Sequence, residues 1–119
     1  MAQSRGALIQ QANGLVEKSQ QLQDELNVLK HDFNMHLETR NHYSNQTKYL
    51  GSVVRRLDEG STRYHRRGAQ LVEANEQEQR ATEELMRVYW AIGSKQQELE
   101  SILARERDLR SQADQMDSD

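Results

Sequence analysis

The chain contains no cysteine and no proline, and each absence excludes a class of structure. Without cysteine the chain cannot hold a disulfide framework or carry thiolate chemistry. Without proline, its 119 residues lack the residue that most strongly interrupts helices. Glutamine, glutamate, leucine, alanine and arginine, which all favour helix, are abundant instead. The sequence therefore predicts mostly uninterrupted helix.

Apolar residues are also scarce. Hydrophobic residues make up 34% of the chain, with one phenylalanine and one tryptophan, and the mean hydropathy is -1.03. This is too little for a core of several layers, but enough for a narrow strip of contact between helices in a single domain. The net charge is only -3 and the apolar residues recur periodically, which disfavours disorder.

Long apolar runs are missing as well. No stretch resembles the core of a secretory signal, and none has the length of a membrane span. We therefore expect a cytoplasmic protein without a transmembrane segment. The alternative is export without a cleaved signal peptide.

A heptad pattern runs through the first half of the chain. From Leu8 to Leu57, positions that lie alternately four and three residues apart are mostly apolar. This is the period with which helices pack in coiled coils. We call the row of positions at which one helix faces the other the seam. The predicted apolar seam residues of this first arm are Leu8, Leu15, Leu22, Leu26, Leu29, Phe33, Leu50, Val54 and Leu57.

The second half carries a less regular apolar stripe. At two places both neighbouring residues are apolar, Val88 with Tyr89 and Ile102 with Leu103, so this face is wider than a two-stranded seam. Val88, Trp90 and Ile102 are therefore candidate anchors for a partner protein, since tryptophan and tyrosine dominate interface hot spots. The predicted seam residues of this second arm are Leu71, Leu85, Tyr89, Ile92, Leu99 and Leu103.

The two arms meet at a hinge, Gly60 and Ser61, within Asp58-Glu59-Gly60-Ser61 at the midpoint of the chain. Glycine commonly ends a helix in a left-handed conformation, which we expect for Gly60, and serine commonly starts the next helix. If the chain folds back at this point, residues at equal distances from the hinge face each other, and the apolar block 22–33 lies opposite the apolar block 85–103. The prediction is therefore an all-α fold, one long antiparallel two-helix hairpin of coiled-coil type.

The predicted hairpin has its first arm at about 7–58, its second arm at about 61–112 and a frayed acidic tail at 113–119. A long rod that forms an antiparallel dimer or bundle is the alternative, because the heptad phase continues across Gly60 and a swapped dimer would use the same contacts. A parallel in-register dimer is disfavoured, since it would set Arg40 against Arg40 and Glu78 against Glu78.

The sequence offers no support for catalysis. It has no glycine-rich phosphate loop and no nucleophile motif, and a two-helix seam has no pocket of enzyme size. Asp32 with His36 and Glu38 with His42 come closest to a metal site, but the two pairs point in different directions, whereas zinc needs three or four converging ligands. We predict no enzyme, no metal, no cofactor and no small-molecule substrate, and interpret His36 as a polar seam residue.

Five arginines flank the hinge and form what we call the arginine cluster. The cluster is a candidate anion-binding tip, for nucleic acid, lipid headgroups or an acidic protein, while an ordinary solvated helix end is the simpler interpretation. The acidic isoelectric point of about 5.8 and the few aromatics disfavour nucleic acid, so an acidic protein is the first option. The residues of the cluster are Arg55, Arg56, Arg63, Arg66 and Arg67.

The two-helix outline is similar to the hairpin substrates of type VII secretion, to stalk proteins of flagellar and type III export, and to subunits of tethering complexes. Type VII hairpins carry Trp-x-Gly at the turn and a tyrosine followed four residues later by an acidic residue. Here the turn reads Glu59-Gly60-Ser61, and no tyrosine has an acidic residue four positions on. The residues therefore assign no family.

These patterns predict a non-enzymatic coiled-coil interaction module, a structural or adaptor subunit of a larger helical complex. Its partner would be protein, either a second copy or a helical subunit. One alternative is a small helical-hairpin secretion substrate, an export-apparatus component, or its partner or chaperone. The other is an anion-binding module that acts through the arginine cluster.

Overall fold

Two long helices make up the molecule. A computed structural model describes residues 4–117, and the side chains of residues 4–116. Helix α1 spans Arg5–Arg55 and helix α2 spans Thr62–Asp117, and no strand occurs in the described part of the chain. The helices pack against each other as a hairpin. The predicted all-α hairpin is therefore confirmed, and the chain does not continue as one helix across Gly60.

The backbone at the end of α1 winds more tightly than an α-helix. The amide nitrogens of Arg56 and Leu57 each donate to the carbonyl oxygen three residues earlier, at Val53 and Val54, over 3.1 Å. Bonds of this i-to-i−3 type are typical of a last helical turn that narrows before the chain leaves the helix. As a result α1 stops at Arg55, although the heptad pattern continues to Leu57.

The left-handed conformation expected for Gly60 is wrong. No glycine among the described residues has a positive φ angle. Because α1 has already ended at Arg55, Gly60 lies inside the turn and not at the residue that closes a helix, where the left-handed conformation is needed. A Cβ atom added at Gly60 would meet no atom within 4 Å.

Ser61 caps the start of α2. Its Oγ accepts a hydrogen bond from the amide nitrogen of Tyr64 over 3.0 Å, and it donates to the carbonyl oxygen of Asp58 over 2.8 Å. The carbonyl oxygen of Ser61 accepts from the amide nitrogen of His65 over 3.3 Å. One side chain therefore joins the turn to the first turn of α2.

The tail at 113–119, for which fraying is expected, is helical as far as the structure describes it. Helix α2 continues to Asp117, while residues 118 and 119 lie outside the described range. Ala113 is buried in a cluster with Leu8, Ala12 and Leu109. This packing holds the last turns of α2 in the helix although their composition is polar.

The contacts divide the chain into two compact units, each built from parts of both helices. The turn unit comprises residues 31–89, and the terminal unit comprises residues 1–30 and 90–119, of which 4–30 and 90–117 are described. Each unit has a narrow apolar core. The buried hydrophobic residues are Leu50, Ala74, Ala81 and Val88 in the turn unit, and Leu8, Ala12, Leu22, Leu26, Leu109 and Ala113 in the terminal unit.

The pairing register is visible in the terminal unit. Leu8 and Ala12 share a buried cluster with Leu109 and Ala113. Lys95 donates from Nζ to Oε2 of Glu25 over 2.6 Å. In each case the partners lie at nearly equal sequence distances from the Gly60–Ser61 bond, which is the reflection that the apolar blocks predict.

Candidate interaction surfaces

The predicted seam positions of α1 all lie on the side of the helix that faces α2. None of them is exposed, and the helix presents no buried charged residue among those described. The most buried are Leu8, Leu22, Leu26 and Leu50; the partly buried ones are Leu15, Leu29, Phe33, Val54 and, past the helix end, Leu57.

In α2 two pairs of neighbouring residues have their expected roles exchanged. Tyr89 and Leu103, expected in the seam, are 56% and 38% exposed. Val88 and Ile102, expected as partner anchors, are buried and partly buried. A shift of one residue turns a side chain by about 100° around the helix, so only one member of each pair can face α1. The other predicted seam residues of α2, Leu71, Leu85, Ile92 and Leu99, are partly buried.

The sequence interpretation missed seam residues that are small or charged. Ala74 and Ala81 are buried, and Lys95 and Glu106 are partly buried. These positions continue the steps of three and four from Leu71 onward, so the spacing alone would have found them. They were missed because the seam was assigned from large apolar side chains, and alanine, lysine and glutamate do not supply them.

Charged side chains form hydrogen bonds between the two helices in the terminal unit. The Glu25 carboxylate, through its hydrogen bond, raises the pKa of Lys95 above its ordinary value, while partial desolvation opposes this shift. Glu25 and Glu98 also raise it through their negative charge. Arg110 donates to Oε1 of Glu106 over 3.0 Å and to Oδ1 of Asn13 over 3.1 Å. Polar seam positions thus contribute specific contacts between α1 and α2.

An open groove of about 460 Å³ lies on one side of the helix pair in the turn unit. The small side chain of Ala74 leaves space beside the seam there. Two polar atoms in the turn unit, Nε of Arg40 and Oγ1 of Thr47, are buried without a hydrogen-bond partner. The groove is lined by Tyr43, Gln46, Tyr49 and Leu50 of α1 and by Arg67, Gln70, Glu73, Ala74 and Gln77 of α2.

The arginine cluster lies at the turn, and four of its five side chains are exposed. Nε of Arg55 donates to the carbonyl oxygen of Gly51 over 3.3 Å, and Nη1 of Arg67 donates to Oε1 of Gln70 over 2.9 Å. The ion pairs found among the described residues join other side chains, so none of them includes an arginine of the cluster. Its positive charge is available to an anionic partner.

Among the described residues no three potential metal ligands come together, at the histidine pairs or elsewhere. His36 is partly buried and His42 is exposed. The His42 ring packs edge-on against the Tyr43 ring, with the centroids 5.1 Å apart. Neither helix has, over its described length, an apolar stretch that could cross a membrane.

The surface carries many large apolar side chains. Among the residues whose side chains are described, six large hydrophobic side chains are buried and ten are exposed. Trp90, the remaining candidate anchor, is one of the exposed ones. The others are Val16, Val28, Met35, Tyr49, Val72, Met86, Tyr89, Leu103 and Met116.

No family model matches the chain, and comparisons with curated proteins and with solved structures return no match.

Proposed function

We propose that the chain is a non-enzymatic coiled-coil protein–protein interaction module, a structural or adaptor subunit of a larger helical complex. The observation that carries this proposal is the excess of exposed over buried large apolar side chains. Apolar residues scattered singly on a surface need no explanation, but here ten large ones are exposed on two helices that have only one narrow seam in which to bury them.

The energetics of a helix pair support the same function. Most helical stability in proteins comes from packing of an apolar face, and this pair has only one narrow seam. Covering a second face with another helix would add burial that the hairpin alone does not supply. The open groove, with tyrosine, glutamine and charged residues in its lining, also suits a protein surface better than a small molecule, which binds in enclosed apolar pockets.

The test is the state of the intact chain in an extract of its source cells. We expect the tagged protein to purify in a stoichiometric complex, and we expect that at least one of Met35→Glu, Met86→Glu and Trp90→Glu releases the partner. Gln97→Glu, which places the same charge at an exposed polar position, should retain it. A chain that purifies alone under all conditions would contradict the proposal.

A second candidate function is binding of an acidic protein segment by the arginine cluster. The observation that favours it is the absence of any carboxylate partner for these five side chains within the described structure. Guanidinium groups that are exposed and unneutralised can bind carboxylates in bidentate fashion. Asp58 and Glu59, which lie beside the cluster in the sequence, are exposed and leave it a net positive charge.

Matched double substitutions test this candidate. Arg63→Gln with Arg66→Gln should weaken binding of the intact chain to a polyglutamate peptide, and added salt should weaken it further. Arg105→Gln with Arg107→Gln removes the same charge from exposed positions of the same helix and should leave binding unchanged. Equal loss in both double variants would show a response to net charge and not to the cluster.

A further inference from the structure

One flank of the turn unit carries a run of uncharged residues. On α2 an exposed or partly exposed row advances in steps of three and four through Val72, Asn75, Gln79, Thr82, Met86 and Tyr89. The seven charged residues between Val72 and Tyr89 all lie outside this row. In a chain with 29% charged residues, such a row is a second heptad stripe beside the seam.

Helix α1 continues this uncharged surface over four positions. Asn34, Leu37, Asn41 and Ser44 follow the same steps and are uncharged, and toward the turn the row then reaches the charged residues Lys48 and Arg55. We call these four positions, together with the α2 row, the neutral flank.

The groove fixes the side of the helix pair on which the neutral flank lies. Gln46, Gln70 and Gln77 line the groove. Ser44 comes two residues before Gln46, and Asn75 comes two residues before Gln77. Two residues correspond to about 200° around a helix, so each member of a pair lies on nearly the opposite side from the other. The neutral flank therefore faces away from the groove on both helices, and the two surfaces are distinct.

We propose that the neutral flank is the surface through which a second copy of this chain binds. The inference rests on the proposed function and names its partner. Interface cores are depleted of charged residues, as the positions of this flank are, and the flank includes Met86 and Tyr89, two residue types that interfaces favour. An uncharged surface is also compatible with itself, so a two-fold pairing of identical flanks brings no like charges together within it.

The chain as a whole exposes more surface than a compact monomer of its mass, which leaves area for an interface. The accessible surface is 8888 Å² for a chain of 13.9 kDa, whereas a compact monomer of this mass exposes about 6,700 Å². The excess is about 2,200 Å². A standard stable interface buries about 800 Å² on each partner.

Charge sets the direction of the pairing. Copies that run in the same direction would bring both arginine clusters to one end, whereas copies in opposite directions keep them apart. In the opposite-direction pairing of the two α2 rows, Val72 of one copy lies opposite Tyr89 of the other, and Gln79 lies opposite Thr82. The two-fold axis then passes between Gln79 and Thr82, so the Gln79 side chains of both copies come close together.

The first test is sedimentation of the purified intact chain across a range of concentrations. We expect a dimer whose dissociation constant rises about tenfold or more in Met86→Glu, because a charge enters the uncharged interface. Met35→Glu is the matched control, because Met35 is 54% exposed against 49% for Met86 but lies outside the neutral flank. A wild-type chain that stays monomeric, or an equal effect of both substitutions, would overturn the proposal.

The second test uses the absence of cysteine from the chain. Gln79→Cys should form a disulfide between two copies under mild oxidation, while Gln77→Cys, on the groove side, should not. Equal cross-linking of both variants, or of neither, would contradict the two-fold pairing. Added salt should maintain or strengthen the dimer, since Glu76 and Glu83 border the flank and repel their counterparts in the other copy.

These outcomes separate the inference from the proposed function. A purified chain that is monomeric, but still binds another subunit in extract, rejects the second copy and leaves the interaction module standing. A chain that neither pairs with itself nor captures a subunit rejects both.

Discussion

At the scale of single residues, the hydrogen bond between Glu25 and Lys95 makes stability depend on alkaline pH. The bond raises the pKa of Lys95 in the folded chain. Its contribution is fully present below the pKa of lysine in the unfolded chain, about 10.4, and is lost as the pH rises through the higher folded-state pKa. Both side chains are more than a third exposed, so the contribution is screened and small.

The expected result is a difference between two melting curves. Wild type should melt at a higher temperature than Lys95→Gln near pH 9, and this difference should vanish as the pH rises through the raised pKa of Lys95 in the folded chain. Lys18→Gln, an exposed lysine in the same unit, should melt like wild type throughout. A wild-type advantage over Lys95→Gln that stays constant at every pH would show that the lysine charge does not contribute.

Burial decides which apolar residues stabilise the hairpin. Leu26 is 2% exposed, so Leu26→Ala should lower the free energy of unfolding by about 2–5 kcal/mol. Leu29→Ala and Ile92→Ala should cost less, because both side chains are only partly buried. Val28→Ala, at 61% exposure, should stay within about 0.5 kcal/mol. Urea denaturation of the four variants measures this order, and equal costs at Leu26 and Val28 would contradict the seam.

At the scale of elements, the turn should respond with opposite signs to two adjacent substitutions. Ser61→Ala removes the cap on Tyr64 and should destabilise the hairpin by about 0.5–2 kcal/mol. Gly60→Ala should stabilise it by about 0.4–1 kcal/mol, since the position has no positive φ and has space for a Cβ atom, while alanine restricts the unfolded chain. Thermal unfolding of both variants would show the two signs. A destabilising Gly60→Ala would mean that the turn requires glycine.

The helices differ in how far their contacts could be predicted from sequence. In α1, large leucines occupy the seam, so the spacing and the hydrophobicity agree, and every predicted position lies on the contact side. In α2, alanine, lysine and glutamate occupy seam positions, and hydrophobicity alone favours Tyr89 and Leu103, which face solvent. The spacing of three and four was the more reliable guide, because geometry fixes it whatever residue stands there.

The end of α1 and the conformation of Gly60 could not be predicted for a different reason. The heptad continues to Leu57, but the bonds that tighten the chain after Arg55 depend on local backbone geometry. The surfaces used for binding are harder still. Exposure of Met86 or Val72 depends on the phase of α2 against α1, which becomes certain only when the two helices are seen together.

At the scale of the whole molecule, one distance distinguishes a hairpin within one chain from a pair of exchanged chains. Spectroscopic labels at Ser19 and Gln97, both in the terminal unit, should be about 10–15 Å apart between backbones. This distance should persist when doubly labelled protein is diluted into an excess of unlabelled protein. Loss of the short distance on dilution would show that the helices pair between chains.

The register of the hairpin also predicts the order in which its contacts form during folding. Asp58 and Ser61 bond across three residues, whereas Asn13 and Arg110 bond across 97. Closing short loops first costs the least chain entropy, so the helix pair should zip together from the turn, and the terminal unit should form last. Leu50→Ala should then slow folding, while Leu109→Ala, at an equally buried leucine, should mainly speed unfolding. Stopped-flow measurement of the folding and unfolding rates of the two variants tests this difference. The lifetime of the folded chain would then be governed by the contacts furthest from the turn in sequence.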